Sequence, residues 1–320
     1  MPLGRVTFSL VLACAAGVEA HVIFNAGSVN SPNQPEWFPN DQGAGVVRAQ
    51  ILLARAHFAC GEIDGTFGSN LQKTVEAFQD DRKLPNTGIV DTATWAALNA
   101  DGAPVLTTYT ITREDEAGPF VSIPAKLMDQ AKLPALGYSS PLEELAEHFH
   151  ASPQLLQALN PGADFTRAGQ NLVVPNVLTL PPGQAASVVV SKSEGSVSAY
   201  DAAGKLLAFY VATVGSQHDP LPMGVWKIVG QRRNPHFHYN ARLFWDAKNP
   251  DETAVIQPGP NNPVGLVWID LSKDHYGIHG TPDPSLIGHA YSHGCIRLTN
   301  WDAVELASMV KPGTPAVLKE

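Results

Sequence analysis

The sequence predicts a multidomain protein: a small α-helical N-terminal domain over residues 43–100, an α+β middle over 105–178, and a mostly-β, sandwich-like C-terminal domain over 185–320. Three observations carry this reading. Helix-period apolar patterns with recognisable start signals dominate the first third. Leu180-Pro181-Pro182-Gly183 then punctuates the chain. Beyond it, short β-prone runs alternate with turn signals.

Residues 1–20 read as a secretory signal peptide. Arg5 precedes an apolar run from Val6 to Val18, and Val18-Glu19-Ala20 places small residues before His21. A rival cleavage box, Val11-Leu12-Ala13-Cys14, would lipidate Cys14. Either reading sends the protein to the periplasm or cell envelope. No other apolar run reaches the roughly 20 residues of a transmembrane span, so none is expected. The net charge of −9 and the absence of a Lys/Arg-rich run exclude a nucleic-acid partner. With 320 residues and 44% apolar composition, the chain can bury more than one core.

In the N-terminal domain, Val46, Val47, Ile51, Leu52 and Ala54 fall on one helical face. A turn-rich loop, Gly61 to Gly68, follows. Ser69 and Gln72 read as a capping box opening a second helix, with Val75, Ala77 and Phe78 inward. A third helix starts at Asp91 and carries Trp95 and Leu98. In such a loop Asp64 is expected to cap backbone N–H groups.

The middle opens on a strand, Val105 to Ile111. Ser140-Pro141 and Ser152-Pro153 each combine a cap with proline in the first turn, and so start two helices. Gly169 to Pro175 reads as a closing strand, and 113–139 as an insertion. His57, His148 and His150 read as helix-surface residues. In the C-terminal domain, strands are expected at Ser187–Lys192, Val197–Tyr200, Leu206–Val214, 224–230, 264–271 and 276–280, with a helix capped by Asn300. His236 to Trp245 reads as a long loop beside the site.

The chemistry concentrates between 279 and 300. Four helix-hostile residues (Gly280, Pro282, Pro284, Gly294) make this stretch strand ends joined by a loop. Cys295 lies between His279 and Arg297. A free thiol, with a pKa of about 8.5, needs a base before it becomes a good nucleophile. His279 is distant enough in sequence to arrive on a neighbouring strand, whereas His293 is too close to Cys295 to reach it comfortably. Gly294 lets the backbone turn tightly, so the N–H groups there could face a developing oxyanion. His275 with His279, and His289 with His293, stand four apart, but that spacing converges only on a helix. No metal and no cofactor are therefore expected. A Cys60–Cys295 disulfide would silence the thiol, and Cys60 reads as a small buried apolar residue.

His279-Gly280-Thr281 with Ser292-His293-Gly294-Cys295, Arg297 and Asn300 closely resembles the signature of the L,D-transpeptidases, the YkuD-type domain. Pro222-Met223-Gly224-Val225-Trp226 and Gly259-Pro260-Asn261-Asn262-Pro263-Val264-Gly265 resemble two further family segments, with Met223 where relatives often carry Thr. Residues 43–100 resemble a peptidoglycan-binding domain, through the Asp64 to Gly68 loop, Ala77-Phe78-Gln79 and Thr94-Trp95. Residues 105–178 resemble a LysM-like module interrupted by the insertion.

The resemblance implies an enzyme acting on peptidoglycan, releasing terminal D-Ala from tetrapeptide stems and forming 3→3 cross-links. Cys295 would be the nucleophile and His279 the proton donor and acceptor. His293, Gly294, Ser292 and Arg297 would complete the catalytic set, and Gly280, Thr281, Asn300, Tyr276 and His236 would face substrate. Water or the amine of an outer-membrane lipoprotein are alternative acyl acceptors, and a non-catalytic wall-binding protein is the alternative class.

Overall fold

The computed structural model of the protein describes residues 24–320; the signal peptide expected over 1–20, with Cys14, lies outside the described residues. The N-terminal part packs the helices Ala44–Arg55, Ser69–Asp81 and Thr92–Leu98 around Val47, Ile51, Leu52, Phe67, Val75, Phe78 and Trp95. Asp91 caps the third helix, accepting from Thr94 N–H at 2.8 Å. The second helix departs from the expected capping box. Gly68 is its N-cap and supplies the extended residue without a side-chain bond, while Gln72 pairs with Glu76 at 3.0 Å. Asp64 caps as expected, its carboxylate accepting from Thr66 N–H at 2.8 Å.

In the middle, Leu106–Thr110 pairs antiparallel with Asn171–Pro175. The helices Pro141–His148 and Pro153–Leu159 cover this ribbon, each capped by its serine hydroxyl at 3.1 Å. Ile111, Leu145, Phe149, Leu156 and Val174 form a small core of their own. The insertion folds back on the C-terminal domain, where Leu136 exchanges backbone hydrogen bonds with Pro258 (2.9 Å) and Asn261 (3.0 Å).

Among the described residues, ten strands form one sheet. Their order is Phe58–Ala59, Leu206–Val211, Ser196–Tyr200, Ser187–Ser191, Pro315–Lys319, Gly224–Arg233, Val267–Leu271, Gly277–His279, Ile296–Arg297 and Thr213–Val214. Only Ala212 separates Leu206–Val211, near one end of this order, from Thr213–Val214 at the other. The sheet therefore curls until its ends approach, in keeping with the mostly-β expectation. The helix Asn300–Met309 packs Ala303, Leu306, Ala307 and Met309 into the resulting core.

Three expectations change here. Leu206–Val214, read as one strand, breaks at Ala212 into Leu206–Val211 and Thr213–Val214. Phe237–Asn240, read as loop, is a strand paired antiparallel with Thr253–Ile256. The last helix is capped by Thr299, whose hydroxyl accepts from Asp302 N–H at 3.2 Å, which frees the Asn300 side chain.

A further core spans the parts. Phe209 and Val211 of the sheet pack with Phe58 and Phe78 of the N-terminal domain. Phe58–Ala59 extends the sheet edge in parallel register with Phe209–Tyr210. Of the histidines read as helix-surface residues, His148 is exposed at the end of its helix, but the other two lie outside helices. His57 has a positive φ of 64° and meets Glu305 at 2.5 Å, and His150 stacks on Trp301 at 5.0 Å. Both bridge to the last helix, and each stands just past a helix end with a positive φ.

Candidate active site

The parallel register of Gly277–His279 on Ile296–Arg297 sets the site. Ile278 lies opposite Ile296, and His279 opposite Arg297. Side chains alternate across a strand, so the two isoleucines fill the core while His279, Arg297 and Cys295 share the other face. Cys295 lies one step diagonal to His279 on that shared face.

His279 is 3% exposed. Its Nδ1 lies 2.6 Å from the Gly280 carbonyl oxygen, which requires the proton on that nitrogen and leaves Nε2 as the acceptor. Trp268, directly opposite on the next strand, stacks on the ring at 5.3 Å and 16°. Burial, reinforced by the Arg297 charge, pushes the imidazole down to about 3. Cys295 Sγ lies 3.7 Å from the His275 carbonyl oxygen. Burial raises its pKa, against a Gly277 backbone bond and the Arg297 charge. The resting pair is thus neutral thiol and neutral imidazole.

Ser292 holds the turn before the thiol, its hydroxyl donating to the Cys295 carbonyl at 2.5 Å. Gly294 sits at φ +96°, where a Cβ would strike the Tyr276 ring at 2.8 Å, so no other residue fits. The N–H groups of His293, Gly294 and Cys295 donate to no acceptor among the described residues. Unpaired backbone donors next to a nucleophile are the groups from which an oxyanion site is built. His293 hydrogen-bonds Asp246 at 3.1 Å, with Phe244 edge-on at 5.0 Å. Arg297 and the buried Thr281 line a cavity of 290 Å³ walled on one side by Ile123, Leu127 and Gln130 of the insertion.

Two further substrate-facing candidates differ in exposure. His236 is exposed, just ahead of the Phe237–Asn240 strand. Asn300 is 1% exposed, and its amide is spent on protein. It donates to Glu147 (3.0 Å) and Pro260 (3.2 Å) and accepts from Leu266 N–H (3.1 Å). Gly265 and Gly280 are pressed against its oxygen, and a Cβ on either would overlap it. Sequence reasoning missed Trp268 and Glu147. Strand alternation, with Val267, Ile269 and Leu271 buried, could have placed Trp268 on the outer face, whereas nothing local flags Glu147.

Burial also gives the site opposed pH dependences. His279 binds protons more weakly folded (about 3) than unfolded (about 6.5), so its contribution to stability is lost as pH falls through that window. Glu147 is held up to about 8 by burial, against Asn300, so stability falls as pH rises from about 4.5 through 8. Glu147→Gln is expected to raise the urea midpoint at pH 8 relative to pH 5; an unchanged difference would refute this.

Comparison with known proteins agrees with the geometry. The L,D-transpeptidase catalytic domain family model matches residues 185–318, and a peptidoglycan binding domain matches 42–98. The YkuD L,D-transpeptidase homologue of Bacillus licheniformis is 34% identical over 54% of this chain and 90% of its own length. Its Bacillus subtilis counterpart is 33% identical over 54% and 90%. The Escherichia coli YbiS homologue is 28% identical over 56% and 60%. The chain belongs to the L,D-transpeptidase family.

Proposed function

We propose that this protein is a peptidoglycan L,D-transpeptidase of the periplasm that works through a Cys295 thioester. One observation carries the reading: His279 and Cys295 share one face of two paired strands, with three unused N–H donors beside the sulfur.

As Sγ attacks the carbonyl joining the L-centre of the third stem residue to terminal D-Ala, His279 Nε2 takes the thiol proton. The C–S bond forms, and the oxyanion accepts from the His293, Gly294 and Cys295 N–H groups. Removing one donor of this kind typically costs about a hundredfold or more in rate. Collapse breaks the C–N bond, and the departing D-Ala amine takes the proton back from His279. An amine from a second stem then attacks the thioester and gives its proton to His279. The sulfur leaves, is reprotonated, and a 3→3 cross-link remains. Arg297 supplies positive charge beside the sulfur and at the cavity mouth. The match over 42–98 supports a wall substrate, held near the site by avidity.

The test is mass spectrometry of a disaccharide-tetrapeptide incubated with the protein. Released D-Ala together with a cross-linked dimer is expected. Tripeptide without dimer would replace the transferase by a hydrolase, and no product would sink the reading.

A further inference from the structure

The middle module reaches into the catalytic domain at one point. Glu147, near the end of the Pro141–His148 helix, is 7% exposed, and its carboxylate accepts from Asn300 Nδ2 at 3.0 Å. Asn300 is more than an inter-domain contact. Its oxygen packs so closely on Gly280 and Gly265 that neither tolerates a Cβ, and it receives the Leu266 N–H at 3.1 Å. Gly280 in turn offers the carbonyl that holds His279 Nδ1 at 2.6 Å. A continuous path of short contacts thus runs from a carboxyl oxygen of the middle module to the nitrogen that decides which face of the imidazole is basic.

An amide with both donors and its acceptor engaged cannot rotate without breaking bonds in a dry interior, where an unmade hydrogen bond is expensive. Removing the carboxylate leaves an Asn300 N–H with the Pro260 carbonyl alone. The amide then relaxes, and the Gly280 peptide loses the surface that holds its carbonyl toward the ring. Glu143, Glu62 and Tyr138 are the titratable groups that face Glu147, from its own helix, from the N-terminal loop and from the insertion end.

We propose that Glu147 is a positioning residue for the reaction: it holds Asn300 on Gly280 and thereby keeps His279 in the Nδ1–H tautomer, with Nε2 free to take the Cys295 proton. The middle module is then a component of the catalytic site, as well as whatever affinity it has for glycan. This inference rests on the transpeptidase reading for its activity arm and on the fold alone for its spectroscopic arm.

The experiment compares Glu147→Ala and Glu147→Gln with wild type in the full chain, normalising kcat to thiol titrated at Cys295. Orienting partners behind a reactive group typically matter by about 10- to 100-fold. Glu147→Ala is therefore expected to lose that much in kcat with KM within about twofold, while Glu147→Gln, which keeps an acceptor, recovers most of it. Unchanged kcat per titrated thiol, or a change confined to KM, overturns the proposal. If Glu147→Ala does not fold, Glu147→Asp, which withdraws the carboxylate by one methylene, is read the same way. In parallel, ¹⁵N spectra of His279 are expected to report a single Nδ1–H tautomer in wild type and a mixture in the variant. A single unchanged tautomer overturns the proposal. If wild type releases no D-Ala, the transpeptidase reading fails while the imidazole spectra still decide the positioning role.

Discussion

Cys295→Ala is expected to lower D-Ala release by at least about 10⁴-fold, because losing the nucleophile of a cooperating set removes nearly everything the set contributes. Stability should change by less than about 1 kcal/mol, since the half-buried thiol lies outside the sheet core that its neighbour Ile296 enters. Cys295→Ser is expected to be almost as silent. A hydroxyl holds its proton far more tightly than a thiol, and burial has weakened the base: His279 is held near 3. Coupled measurement of D-Ala release and thermal unfolding checks both. A serine variant retaining more than a few per cent of activity would show that the base is stronger than its surroundings suggest.

His279→Gln is expected to cost about 10²- to 10⁴-fold in kcat/KM, the usual worth of a positioned general base. Alkylation of Cys295 by iodoacetamide should slow in the same variant. The pH profile gives a sharper test. Because kcat/KM reports the free enzyme, a base held near 3 leaves no acid limb between about pH 5 and 7, where an ordinary histidine would produce one. A limb near 6.5 in wild type, absent from His279→Gln, would contradict the burial described for this ring.

Both effects were foreshadowed in the primary structure, because Cys295, His279 and Gly294 lie in one short, unusually spaced stretch. Ser140, Ser152 and Asp91 were legible for a similar reason, since a cap acts within three residues of itself. The strands Phe58–Ala59 and Ile296–Arg297 were not, nor was the break at Ala212 within the expected strand Leu206–Val214. Two residues carry no periodicity, and each is a strand only because a partner far along the chain pairs with it. Thr253–Ile256 was missed likewise, paired as it is across a long excursion. Asn300 was read as a cap because its sequence neighbours favour one; its actual partner, Glu147, stands 153 positions away. Contacts at that separation leave no mark on either local pattern.

The pairing of Phe58–Ala59 with the sheet has a practical consequence. A fragment cut to the catalytic match at residue 185 would keep the signature and lose the outermost strand. Leu206–Val211 would then present a bare row of backbone donors and acceptors, including the Phe209 N–H that now donates to His57 at 2.8 Å. Bare edges of this kind recruit other chains. Such a fragment should self-associate at concentrations where the full protein does not. The smallest well-behaved unit of this enzyme is therefore larger than its catalytic domain.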